Sequence, residues 1–188
     1  GLGAMTLIKT LTASSSATVS FVNGSSNVVL DSTYPIYVVK IISANIQTDN
    51  QDIVVNFSDD TSSHSYNLTK TDSYFAALHT EADNDAGLQY EAAEDTAQGT
   101  GFTVVTKEQA NDADAGACST IFLFNPSSTT FVKHYMMRSN WFQHNNYAQD
   151  AFKSGYINTT AAVTAIQFKS TSGNIDSGTF KLYGIKDS

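Results

Sequence analysis

The residues of this chain that could do chemistry are four histidines, one cysteine and a long run of acids. His79 and Glu81 form a His-x-Glu pair, but the Pro-Cys-x-x-Cys half of a zinc deaminase site is missing. The sequence has no Gly-x-Ser-x-Gly elbow, no His-Glu-x-x-His pair and no glycine-rich phosphate loop. His64, His79, His134 and His144 lie far apart, and surface or strand positions without a ligand are expected for them. Cys118 sits in Ala117-Cys118-Ser119-Thr120-Ile121-Phe122-Leu123-Phe124 with no adjacent cation to lower its pKa. A buried packing residue is predicted there rather than a nucleophile. Glu81, Asp83 and Asp85 alternate like calcium ligands, yet Ala86 and Ala92 stand where an EF-hand loop needs glycine and glutamate. An irregular calcium site, built from this loop or from Asp49, Asp52, Asp59 and Asp60, is the one cofactor left open. Nothing singles out a catalytic carboxylate pair, and no enzymatic activity is expected.

The segment from Arg138 to Tyr147 mixes rings with amides. Trp141, Phe142, His144 and Tyr147 are the candidate ligand-binding residues. Flat rings cover apolar sugar faces while amides and hydroxyls satisfy polar edges, so a carbohydrate-binding module is the competing function. The plainer alternative is a strand end whose rings belong to the core or its rim.

What must position these residues is a single β domain. The net charge of −8, with Arg138 the only arginine, excludes the basic footprint of a nucleic-acid binder. No apolar run reaches the roughly 20 residues of a membrane-spanning helix, so no membrane insertion is expected. Gly1 to Ala4 read as a cloning scar ahead of Met5, without the features of a signal peptide, and residues 5–188 as one domain. A lone cysteine allows no intramolecular disulfide, and a domain of this size needs none.

Threonine, serine, valine, tyrosine and phenylalanine predict an antiparallel β-sandwich of jelly-roll type. Strands are predicted near Ala17–Val22, Ile36–Ile46, Asp52–Phe57, Ser65–Leu68, Tyr74–Thr80, Phe102–Thr106, Ser119–Phe124, Thr130–Ser139, Ala162–Lys169 and Gly178–Ile185. Alternation is clearest at the end: Ile166 and Phe168, then Phe180 and Leu182, face the core from two strands read as a hairpin around Ser172–Gly178. Asn125-Pro126-Ser127-Ser128 reads as a turn. Asp83 to Ala97 could hold one short helix. The acidic middle, Ala82 to Ala115, is predicted to be an exposed, mobile insertion.

Four stretches carry a resemblance: Ile8 to Ala17, Leu30 to Tyr34, Phe124 to Ser128, and Ser172 to Lys186 with its Leu182-Tyr183-Gly184 close. Together they resemble a family of virion structural proteins from the tailed phages of marine and other aquatic bacteria, over nearly the whole chain from Leu7 to Lys186. The resemblance implies a non-enzymatic protein on the virion surface, decorating the capsid or belonging to the tail or its fibres. It implies a symmetric oligomer, a homotrimer, with other virion proteins as partners and host-surface glycan as a possible ligand. It carries no catalytic residues to transfer.

Overall fold

A computed structural model describes residues 4–186. Within them the chain forms β1 (Met5–Ser16), β2 (Val19–Val22), β3 (Ile36–Ile46), β4 (Gln51–Ser58), β5 (Lys70–Thr80), β6 (Ala86–Tyr90), β7 (Thr96–Gly99), β8 (Thr103–Gln109), β9 (Ala117–Phe124), β10 (Lys133–Gln143), β11 (Tyr147–Ile157), β12 (Ala165–Ser170) and β13 (Ile175–Ile185). Every pairing is antiparallel. One layer runs β1-β13-β3-β9 and the facing layer runs β2-β12-β4-β8. Those eight strands, taken in chain order, are arranged 1-8-3-6 over 2-7-4-5, which is the jelly-roll order.

The other strands extend the first layer. Beyond β9 come β10, β11 and β5, with β6 and β7 along the outer edge of β5. A single bridge, Gln143 to Gln109, joins β10 to β8, so the two layers meet on that side and the sheet is nearly closed into a barrel. Strand alternation is the local cause of this layering. In β10 Tyr135, Met137, Ser139 and Trp141 are buried while His134, Met136, Arg138 and Asn140 are exposed.

The buried faces of the eight jelly-roll strands make an apolar core. Phe168 and Phe180 belong to different layers and meet across it with ring centroids 5.3 Å apart. The final two strands are therefore not a hairpin, as the turn residues suggested: β12 pairs with β2 and β4, and β13 with β1 and β3. The loop crosses between layers, and Gly173 adopts a positive φ of 71° within it. Periodicity fixed the buried face correctly but says nothing about which strand is the neighbour.

The stretch Asp83 to Ala97 holds no more than one short helix, the 3-10 turn Ala92–Glu94, and otherwise forms β6 and the start of β7. Its apolar stripe is too thin to bury a helix, and the open edge of β5 offers backbone partners instead. One more expectation is corrected in part: Ala82 to Tyr90 is exposed as expected, but Ala82 to Ala115 is not an insertion throughout, since β8 is a jelly-roll strand with Val105, Thr106 and Gln109 buried. Ser65 to Leu68 is not in a strand, whereas β1 and β11 are long strands that the sequence left unmarked.

Candidate interaction surface

The outer face of the large sheet is unusually apolar. Cross-strand register places Leu7, Tyr183, Val38, Phe122 and Met136 in one row across β1, β13, β3, β9 and β10. A second row holds Met5, Ile185, Ile36 and Phe124. Leu7, beside the irregularity of β1, and Met136 are about half exposed, at 50% and 54%, while Val38 between them is buried. Alongside these rows a groove of about 730 Å³ is lined by Ile42, Cys118, Phe122, Met136, Arg138 and Phe152. Phe152 stacks on Phe75 with centroids 5.1 Å apart, and Arg138 lies 4.9 Å over the Phe152 ring. Arg138 is held in place by Asp150, to which its Nε and Nη2 donate at 3.0 and 2.7 Å. Asp150 is the acid among the groove residues, while Lys40 and Arg138 are its cations. The strongly negative remainder of the chain contrasts with this face.

On the inner side of the extension the chemistry is the opposite. Lys153, Asp72, Lys70 and Lys133 are all buried. Lys153 Nζ donates to Thr103 Oγ1 at 2.6 Å, to Glu94 O at 2.7 Å and to Asp72 Oδ1 at 3.3 Å. Asp72 also accepts from Thr96 N at 3.0 Å, from Thr103 Oγ1 at 2.9 Å and from the Tyr135 hydroxyl. Lys70 Nζ donates to Asn56 Oδ1 and Leu68 O at 2.7 and 2.8 Å. Burial lowers the pKa of Lys153 and pushes that of Lys70 down to about 8. Burial likewise raises the hydroxyl of Tyr135, with the Asp72 charge adding to it. A Cβ on Gly155 would stand 2.2 Å from Thr71 O, so glycine is what lets β11 approach β5 beside Asp72. Each of these buried ions has hydrogen-bonding partners: Lys153 and Asp72 join β5, β8, β10 and β11, Lys70 ties β5 to Asn56 of β4, and Lys133 donates to Phe131 O and Thr159 O. Sequence reasoning missed it. The signal it left was a lysine at an inward position of each of three strands, Lys70, Lys133 and Lys153.

The four residues proposed for ligand binding do not form one platform. Trp141 is 2% exposed and its Nε1 donates to Lys107 O at 2.7 Å, so its ring is core and presents no face to a ligand. Phe142 follows it in β10 and points to the opposite side of the sheet. His144 lies in the turn after β10, its backbone N donating to Glu108 O at 3.0 Å. Tyr147 opens β11 and donates to Asp85 Oδ2 at 2.8 Å.

The proposed calcium ligands Glu81, Asp83 and Asp85 share the turn between β5 and β6, where Asp83 and Asp85 have separate partners. Asp83 lies 2.9 Å from His79 Nε2 and Asp85 holds Tyr147, while Glu81 N donates to Asn146 O. Among the described residues no group of three His, Cys, Asp or Glu side chains suited to holding a metal ion is found. Cys118 is exposed on the outer face of β9, not buried as its apolar neighbours suggested. In an alternating strand Ser119 and Ile121 take the inner positions, and Cys118 falls on the other side.

No protein-family model, curated protein or solved structure matches the chain.

Proposed function

We propose that this is a non-enzymatic structural protein that assembles with copies of itself into a symmetric homotrimer through the outer face of its large sheet. The observation that carries the reading is the pair of apolar rows spanning β1, β13, β3, β9 and β10. Exposed apolar side chains gathered on one sheet face, here Met5, Leu7 and Met136, are characteristic of contact sites. The occupant is a second copy because of how charge is distributed. Each chain carries a net charge of −8, so copies repel one another over most of their surface. The groove beside the rows, with Lys40 and Arg138 against Asp150, lacks that repulsion.

The setting proposed is the surface of a phage particle, as capsid decoration or a tail component, on the strength of the sequence resemblance. A jelly roll suits that setting because oligomeric packing protects its remaining strand edges. The test is light scattering on the purified chain and on Met136→Glu, which places a carboxylate in the first row. The wild type should have three times the 20.2 kDa chain mass, and the variant should fall to one chain while keeping its β circular dichroism. A wild type that stays monomeric at every concentration, or is absent from purified particles, would overturn the reading.

A further inference from the structure

Asn56 of β4 and Lys70 of β5 are each 0% exposed, and their side chains meet although their strands do not pair. Lys70 Nζ donates to Asn56 Oδ1 at 2.7 Å, and the backbone N of Phe57 donates to the same oxygen at 2.9 Å. On the other side of the amide, Asn56 Nδ2 donates to Tyr66 O at 2.6 Å and to Thr100 O at 3.0 Å. These partners fix which way the amide points, because the two carbonyls can only accept and the Phe57 N–H can only donate. A nucleophile is thus held against a carbonyl in a setting that excludes water. A hydrated lysine is a charged, unreactive ammonium, but burial pushes the pKa of Lys70 down to about 8, so the neutral amine is abundant in mildly alkaline solution.

We infer that Lys70 and Asn56 join in an intramolecular isopeptide bond that ties β5 covalently to β4 of the facing layer. The lone pair of the Lys70 amine attacks Asn56 Cγ. The Nζ–Cγ bond forms, the Cγ–Nδ2 bond breaks, and one Nζ proton leaves with Nδ2 as ammonia. An amine and a carboxamide give a secondary amide and ammonia, so the step needs no oxidant, reductant or other reactant. Holding the two groups in hydrogen-bond contact replaces a bimolecular encounter with an intramolecular one. The Phe57 N–H already points at the oxygen that gains negative charge as the amine adds. Asp72, two residues along the same buried face of β5, favours positive charge on Lys70, as the nitrogen carries when the amine has added. Burial keeps out the water that would compete for the same carbonyl. The separate amine and amide are the chain before reaction, and the titration of Lys70 belongs to that form. The bond lies within one chain, so the inference stands apart from the assembly reading.

The experiment is mass spectrometry of the full chain after prolonged incubation, folded, above the Lys70 pKa of about 8, first intact and then denatured and digested with trypsin. The intact mass should fall below the sequence mass by one ammonia, about 17 Da. Trypsin does not cut after an acylated lysine, so the peptides 41–70 and 71–107 should be replaced by one peptide, 41–107, lighter by the same amount. Lys70→Met should keep its full sequence mass. The wild-type digest decides the question whether or not that variant folds. Full sequence mass with normal cleavage at Lys70 would overturn the inference. So would loss of ammonia with Lys70 still cleaved, the mark of a cyclised asparagine such as Asn23 before Gly24.

Discussion

One apolar core runs through both halves of this sandwich, but only one half adds a buried polar network to it. Between the jelly-roll layers, Phe21, Val39, Ile41, Val55, Phe57, Phe168, Phe180 and Leu182 are held by burial that has no preferred direction. Under the extension built by β5, β10 and β11, Tyr74, Tyr135, Met137, Trp141 and Ile157 continue that core, but the inward positions also hold Lys70, Asp72, Lys153, Ser139, Gln143 and Gln149. Here the layers are joined by hydrogen bonds with defined donors and acceptors. An apolar interior tolerates changes that keep volume, whereas a buried ion network tolerates none that remove one partner. The extension is thus fixed in register against β8 by Lys153 and Asp72, while the jelly roll is fixed by side-chain alternation.

That contrast can be broken experimentally. Asp72→Asn keeps shape but leaves Lys153 as an uncompensated buried charge, and should cost about 3–5 kcal/mol in chemical denaturation. Phe180→Ala should cost a similar ~3–5 kcal/mol through the cavity it opens, but Leu182→Met, which keeps volume, should cost less than about 1.5 kcal/mol. If Asp72→Asn proves as mild as Leu182→Met, the polar network is not what holds the extension.

The pH dependence sharpens the same point. Lys70 titrates at about 8 in the folded chain against an ordinary 10.5, so between those values the unfolded chain binds the extra proton. Stability contributed by this group therefore rises as pH increases through that window. Above about pH 10 the trend reverses, because burial holds Tyr37 protonated up to about 12, and the unfolded chain then loses protons first. The melting temperature should climb from pH 8 to pH 10, and Lys70→Met should flatten the climb. A wild-type curve falling steadily over that interval would contradict a buried, partly discharged lysine. The smallest effect is expected at the exposed thiol: Cys118→Ser should alter the stability of the single chain by no more than about 0.5 kcal/mol.

Strands of both halves were legible in the sequence where apolar residues alternate, including β5 and β10 of the extension, and β11 and β1 were not. Ile166, Phe168, Phe180 and Leu182 alternate with polar residues, and all four are buried as that alternation requires. In β11 the inward positions are Gln149, Ala151 and Lys153, so the same two-residue rule finds no apolar face and the strand goes unmarked. β1 was hidden for another reason: Leu11 and Ala13 face the core, but an irregularity between Leu7 and Lys9 breaks the two-residue period. The acids of the middle segment misled for a related reason: charge alone suggested solvent, but Glu91 and Glu94 are spoken for by Lys107, and Asp95 accepts from Tyr74 N at 2.7 Å. The apolar outer face was readable only after pairing, because Leu7, Val38, Phe122, Met136 and Tyr183 become neighbours through register and not through sequence.

Cys118 gives the most direct measurement of whether that face is covered, because it lines the groove and is exposed in the isolated chain. The rate of labelling by a thiol reagent should be compared between the wild type and Met136→Glu under native conditions. Self-association through the outer face predicts slow labelling in the wild type, accelerating on dilution, and fast labelling at all concentrations in the variant. Fast, concentration-independent labelling of the wild type, equal to that of Met136→Glu, would contradict the account.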